Sequence, residues 1–336
     1  MLGGGVFVTQ NKVLPGAYLN FVNASTASNA VGERGIVAIA LPLNKSAGEV
    51  IELTASDFAT SDFKDEIVLR EIFRRANKVY IYDLGTSGTV TEAVSALEAY
   101  DFNILCAYTN TTVDVTTYIN TVKNWRDNMG KKCQVVVYNQ TTPDHEGVIN
   151  VVSTVADDEI DSHALIAWVA GAEAACDINS SCTNMLYDGE YTVYVDKTQK
   201  QLEDCIKAGQ IAFHLVYGEV RLLEDINSLT TITDDKGEDF KYNQTIRVID
   251  QIANDIAKLF NTKYLGRIQN NESGRVSLWG DIVKHHRELE SLGAIENFDA
   301  TLVTVVQGDT KKSVVVNDVI TVVNSMAQLY MTVVVQ

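Results

Sequence analysis

From Gly35 to Ala175 the chain alternates between short apolar runs and amphipathic stretches, and this rhythm most limits what it can fold into. Ile36–Leu41, residues 78–84, 103–108, 133–138 and 148–152 are β-branched or apolar over strand-like lengths. Between them, residues 65–76, 90–100, 113–129 and 163–175 carry helical spacing. In the first, Ile67, Val68 and Ile72 point inward and Arg70, Arg74 and Arg75 outward. Gly130 stops the third, as a helix-ending glycine does. The fourth is small and apolar enough to be buried. Strands that alternate with helices predict an α/β fold, a mostly parallel sheet flanked by helices.

Past an Asn/Ser/Gly-rich loop at 177–189 the rhythm loosens. A short extended piece at 192–195, a helix at 199–208 and a hairpin about Gly218 (211–217 and 219–223) are expected. A charged loop at 233–241 precedes a strongly amphipathic helix at 244–264, with Ile249, Ile252, Ile256, Phe260 and Tyr264 on one face. A second helix, 276–292, ends at Gly293. Three β-rich runs then follow, 302–306, 313–323 and 329–335. This last part predicts a C-terminal α+β domain. The final run, Leu329-Tyr-Met-Thr-Val-Val-Val335, continues to the last residue but one with nothing after it to cover an edge. An exposed apolar strand of this kind invites pairing with another chain. At the other end, residues 1–22 show two short alternating runs, 6–9 and 17–21, split by Pro15-Gly16, and build no core. Fully extended, 22 residues span up to about 75 Å.

Charge is unevenly placed. Of the net −17, residues 141–240 hold −15, with 5 basic and 20 acidic side chains, while residues 241–336 balance at 10 of each. The balance lacks the basic footprint of a nucleic-acid binder. An acidic stretch favours solvent, so 141–240 is expected on the outside of any assembly. No apolar run is long enough to cross a membrane as a helix, and the N-terminus lacks the basic and apolar regions of a secretory signal. The five cysteines form no CxxC pair and are expected as buried, reduced thiols.

Enzyme signatures are missing where they would be needed. Gly3-Gly4-Gly5 has no Lys-Ser/Thr partner, no GxGxxG opens a helix, and no GxSxG turn exists. The histidines do not suggest a hydrolase triad, which is defined by geometry and roles. His145 reads as a solvated loop residue, His163 as a residue near a capped helix start, and His214 as a strand residue. His285 and His286 are adjacent on a helix, point about 100° apart, and lack the HExxH frame of a metal site. Two readings stand: a solvated helix face, or a protein-contact patch made by Lys284, His285, His286 and Arg287. No metal, cofactor or catalytic residue is expected.

Several segments, taken in order, resemble contractile phage tail sheath proteins. They are Val13-Leu-Pro-Gly-Ala-Tyr-Leu-Asn-Phe21, Arg34-Gly-Ile-Val-Ala-Ile39, Leu69-Arg-Glu-Ile-Phe73 and Ala96-Leu-Glu-Ala-Tyr-Asp-Phe-Asn103. Asp281-Ile-Val283, Leu292-Gly-Ala-Ile-Glu-Asn-Phe298, Ser313-Val-Val-Val-Asn317 and Leu329-Tyr-Met-Thr-Val333 continue the series. The likeness is to sheaths of Gram-positive myophages, PBSX-like prophages and diffocin-type bacteriocins. It departs at one place: many such sheaths insert a β-rich domain after the strand at 79–84, whereas here Gly85–Gly88 leads straight into the next helix.

The resemblance implies a subtilisin-like α/β core without protease chemistry. It implies an arm at 1–22, a core at 23–235, an inner α+β domain at 236–327 and an arm strand at 328–336. It implies hexameric rings of self-copies stacked helically around an inner tail tube, with baseplate and tail-terminator proteins at the ends. Assembly would occur in the bacterial cytoplasm, and the product would be a virion tail or a released tail-like particle. The arm residues would be Phe7, Val8, Tyr18, Leu19, Leu329, Tyr330, Met331, Val333, Val334 and Val335, and the tube contact Lys284, His285 and Arg287. Other readings are a soluble α/β enzyme or ligand-binding protein with a terminal β-module, and a baseplate or capsid-associated protein. A stable monomer with a discrete ligand would favour the former, and a single-ring assembly the latter.

Overall fold

The computed structural model describes residues 32–156 and 162–335. The expected strands at 6–9 and 17–21, with Phe7, Val8, Tyr18 and Leu19, lie outside the described residues.

β1 (Ile36–Leu41), β3 (Lys78–Asp83), β4 (Ile104–Cys106), β5 (Gln134–Tyr138), β6 (Val148–Val151) and β7 (Gln210–Ile211) form the parallel body of a seven-stranded sheet. β2 (Val50–Thr54) lies antiparallel on the edge beside β3, and the order is β2-β3-β1-β4-β5-β6-β7. Side-chain alternation divides β1 cleanly. Val37, Ile39 and Leu41 face one layer, with Leu69 and Ile72 of α2 (Ile67–Phe73) and Leu165 and Trp168 of α5 (Leu165–Ala175). Ala38 and Ala40 face the other, with Ala93, Val94 and Leu97 of α3 (Val90–Leu97) and Val115, Tyr118 and Val122 of α4 (Thr112–Asn124). A one-turn helix, α1 (Ala55–Phe58), follows β2. The fold is thus a mixed α/β sandwich around a mostly parallel sheet, as the sequence rhythm implies.

Two glycines do specific work. Gly130 takes a left-handed φ of 76° to close the π-helical turn Trp125–Met129 that ends α4. Gly171 lets α5 press on α2: a Cβ there would come within 2.3 Å of the Ile72 carbonyl oxygen. That close approach is why α5, buried at nearly every position, is rich in alanine.

After α6 (Gln199–Lys207) and the β8–β9 hairpin (Phe213–Val216, Glu219–Leu222), the chain enters its C-terminal module. α7 (Asn243–Leu259) and α8 (Glu272–Ser291) share an apolar cluster of Val248, Ile252, Ile256, Leu278, Ile282 and Leu289. Two small antiparallel sheets lie beside them. β10 (Ile295–Glu296) pairs with β13 (Thr321–Val322), and β11 (Thr304–Gln307) with β12 (Val314–Asn317). The expected strand at 329–335 is absent from both sheets: residues 323–335 have no regular secondary structure. All five cysteines are free and buried, as expected. No helix among the described residues is long and apolar enough to cross a membrane.

Candidate assembly surface

The C-terminal module is held to the α/β core by buried charge. Arg247 of α7 is the hub. Its guanidinium donates to Glu173 Oε2 at 2.7 Å, Asp225 Oδ2 at 3.2 Å and the Ser180 carbonyl at 2.8 Å. Burial, then the neighbouring Asp225 charge, pushes the Glu173 carboxyl well above its usual range. A second pair, Arg126 Nη2 to Asp250 Oδ1 at 2.8 Å, links the end of α4 to α7. Gln134 Nε2 donates to Asn243 Oδ1 at 2.9 Å. A seam of buried ion pairs fixes orientation, because each pair tolerates little displacement before a buried ion loses its partner.

From this base the chain's last segment leaves the module. Gln244 holds its root from both sides, donating to the Val323 carbonyl at 3.2 Å and accepting from the Ser325 N–H at 2.9 Å. Thr245 pairs with Asn324. Beyond Ser325 the anchoring stops. Leu329, Tyr330 and Val334 are 85%, 88% and 81% exposed, and Met326, Met331, Val333 and Val335 are exposed with them. Among the described residues, no backbone–backbone hydrogen bond ties 326–335 to the body. Ten consecutive residues with this much exposed apolar area have the character of a segment that pairs with other protein surface. Among the described residues, the two-stranded sheets of the same module leave strand edges open.

α8 corrects the sequence reading of its basic cluster. Lys284 and Arg287 are exposed, but His285 and His286 are wholly buried. The pair is therefore neither a solvated face nor part of a surface patch. The helical phase explains this: both histidines sit three or four residues from Ile282 and Leu289 and share their inward side. His145 is likewise buried, against expectation. Its Nε2 lies 3.2 Å from Asp127 Oδ2, and its Nδ1 accepts the Gly147 N–H at 2.9 Å. Ser228 Oγ meets the His145 backbone rather than its ring, so no nucleophile–base pair forms there. His163 is buried edge-on to Tyr108.

Two clusters have the donor types of a cation site, Asp127/His145/Glu146 and Glu173/Cys182/Asp225. Protein cations already neutralise them. Lys236 and Arg126 pair with Glu146, and Arg247 with Glu173 and Asp225. Despite its burial, Glu146 is pulled down to about 2, chiefly by Arg126 and then by His145 and Lys236.

The sequence reading missed Arg247, which ties the module to the core, and Gln244 and Thr245, which hold the root of the tail. It had placed 244–264 on one amphipathic helix, and polar residues at the buried start of such a helix were the available signal.

The chain matches the phage tail sheath protein central domain over residues 85–228 and the phage tail sheath C-terminal domain over residues 235–336. It is 29% identical over 199 residues to the tail sheath protein of Clostridium phage phiCD119, covering 58% of this chain and 55% of that one. The crystal structure of a sheath tail protein from Desulfitobacterium hafniense superposes with a TM-score of 0.74 at 26% identity, covering 86% of this chain and 93% of that one. The helical sheath of the anti-feeding prophage in its contracted state shares the fold, with a TM-score of 0.71 at 16% identity over 96% of this chain and 99% of that one. The chain spans between 31% and 55% of the length of the curated relatives it matches. With two sheath domains matched in order and a sheath structure superposed over most of its length, this chain belongs to the phage tail sheath family.

Proposed function

We propose that this chain is the structural subunit of a contractile tail sheath. It acts as a polymer building block and not as an enzyme. Copies form hexameric rings that stack helically around an inner tail tube, between a baseplate and a tail terminator. Residues 1–22 and 328–336 act as arms that add strands to the C-terminal sheets of neighbours, a β-augmentation in which main-chain hydrogen bonds supply affinity and alternate side chains supply fit. The α/β core at 23–235, subtilisin-like in layout, faces outward, and the module at 236–327 faces the tube. Lys284 and Arg287 are the exposed α8 groups available to the tube; buried His285 is not. Contraction needs no nucleotide, because the free energy is held in subunit contacts and the arms make the change cooperative. The subunit assembles in the bacterial cytoplasm and works in a tail or tail-like particle that drives the tube through a bacterial envelope.

The observation that carries this reading is the tail: anchored at Val323–Ser325 by Gln244 and Thr245, then exposed and apolar to Val335. Deleting Leu329–Gln336 tests it. The truncated subunit is expected to keep its circular dichroism and thermal midpoint yet to form no sheaths by electron microscopy. Normal sheaths from the truncated subunit would refute the arm assignment.

A further inference from the structure

Residues 177–181 leave the α/β core at Cys176 and return to it at Cys182. Both cysteines lie in the core's apolar cluster, whereas Ile178 between them is buried in the apolar cluster of the C-terminal module. The loop is therefore a latch: five residues reach out of one body and seat in the other. Asn179 Nδ2 donates to the Leu292 carbonyl at the end of α8, at 2.8 Å. The Ser180 carbonyl accepts from Arg247 of α7 at 2.8 Å. The Ser180 N–H closes a turn on the Asp177 carbonyl at 3.1 Å, which brings the chain back toward its starting point.

The two ends of the latch are held by their backbones. Cys176 caps α5, its N–H on the Ala172 carbonyl, and its own carbonyl accepts Arg34 Nε at 3.2 Å. The Cys182 N–H donates to Asp225 Oδ2 at 2.9 Å, and its Sγ lies 4.0 Å from Arg247 Nη2. Between these anchors the two side chains are in hydrogen-bond contact.

We propose that Cys176 and Cys182 are a redox site, two thiols that close to a reversible disulfide and staple the base of the latch. The use of that bond in a particle released from a reducing cytoplasm rests on the sheath reading above, whereas the bond itself does not.

The surroundings divide the roles. The hydrogen bond from Cys182 lowers the Cys176 thiol against its burial, with the Arg247 and Arg34 charges on the same side. The same hydrogen bond, and then burial, raises Cys182 well above the usual range. Burial likewise raises Cys106, Cys133 and Cys205. Cys176 is thus the nucleophile and Cys182 the resolving thiol. With hydrogen peroxide as the oxidant, the Cys176 thiolate attacks one oxygen and the O–O bond breaks. Cys176 becomes a sulfenic acid, and the other oxygen takes up a proton and leaves as water. The Cys182 sulfur then attacks the sulfenic sulfur. The S–O bond breaks, and the departing hydroxide carries off the Cys182 proton as a second water. In sum, two thiols and one peroxide give one disulfide and two waters. A dithiol reductant reverses the bond.

The test is intact-mass analysis of the isolated native subunit after hydrogen peroxide, with the remaining thiols alkylated in denaturant. The mass before alkylation should fall by two hydrogens, and Cys176 and Cys182 should lose their alkyl groups together while Cys106, Cys133 and Cys205 keep theirs. Dithiothreitol should restore both. The oxidised subunit should show an unfolding constant in urea about tenfold smaller than the reduced one, because the staple restricts the unfolded chain. In Cys182→Ser, which lacks the resolving thiol, peroxide should instead add oxygen at Cys176. Oxygen added to either cysteine of the native subunit, both thiols still alkylated after peroxide, or a crosslink that leaves the unfolding constant unchanged overturns the proposal. All readouts use the unassembled subunit, so a failure to polymerise would count against the arms and leave the redox site standing.

Discussion

The α/β core and the C-terminal module use their backbones in opposite ways. In the core, six parallel strands and one antiparallel edge strand pair side by side, and helices cover both faces. Even loop charge is saturated there. Asp83, wholly buried at the end of β3, accepts from the backbone N–H groups of Leu43, Asn44, Lys45, Ser46 and Gly85. Among the described residues, the module has two-stranded sheets with open edges and a ten-residue tail rich in apolar side chains that makes no backbone–backbone hydrogen bond to the body. The described core strands pair with one another, whereas the tail leaves its apolar side chains exposed. Surface that would be a hazard in a monomer is what a polymer subunit needs at its joints.

The seam between the two regions offers the largest effect. Arg247→Met removes the cation from between Glu173 and Asp225 and should cost about 3–5 kcal/mol, the usual result of leaving buried charge unpaired. If the seam holds an otherwise independent module, urea unfolding monitored by tryptophan fluorescence should split into two steps, with the module lost first. A single cooperative transition would mean that the core and module are one folding unit. Next in size, Asp83→Ala strips five backbone N–H groups of their acceptor and should cost about 2–3 kcal/mol in a thermal scan. Those hydrogen bonds hold the Asp83 carboxyl below its usual value against the penalty of burial. Its contribution is therefore present above about pH 4 and lost as pH falls through the folded value, and Asp83→Ala should flatten that acid limb. Smallest of all, Lys284→Glu with Arg287→Glu should change subunit stability by less than about 0.5 kcal/mol. The same pair should weaken co-sedimentation with the inner tube; unchanged co-sedimentation would make these two residues a solvated face.

What the sequence revealed follows the same division. Strands buried on both faces read directly as apolar runs, so β1 and β3–β6 were legible, as was the alanine-rich α5. Gly130 and Gly293 marked helix ends correctly, both with left-handed backbones. β2 escaped notice because an edge strand shows the core little: only Leu53 of its five residues is buried. In the tail, valine and tyrosine announced strand propensity but could not name a partner, since propensity reports fit to a pleated surface and not whose surface it is. His285 and His286 misled for a related reason. Flanked by Lys284 and Arg287 they looked like a basic face, yet a helix turns charged neighbours outward while carrying the residues between them inward. Arg247, Glu173 and Asp225 were invisible as a set, because their meaning lies in contacts across long sequence separations.

In the proposed sheath, residues 326–335 become a strand paired with another copy of the chain. Amide hydrogen exchange of that segment, measured in the free subunit and again in the assembled sheath, tests it most directly. Fast exchange in the free subunit and strong protection at alternate residues after assembly is the predicted result, while the core strands stay protected throughout. Equally fast exchange before and after assembly would contradict the account.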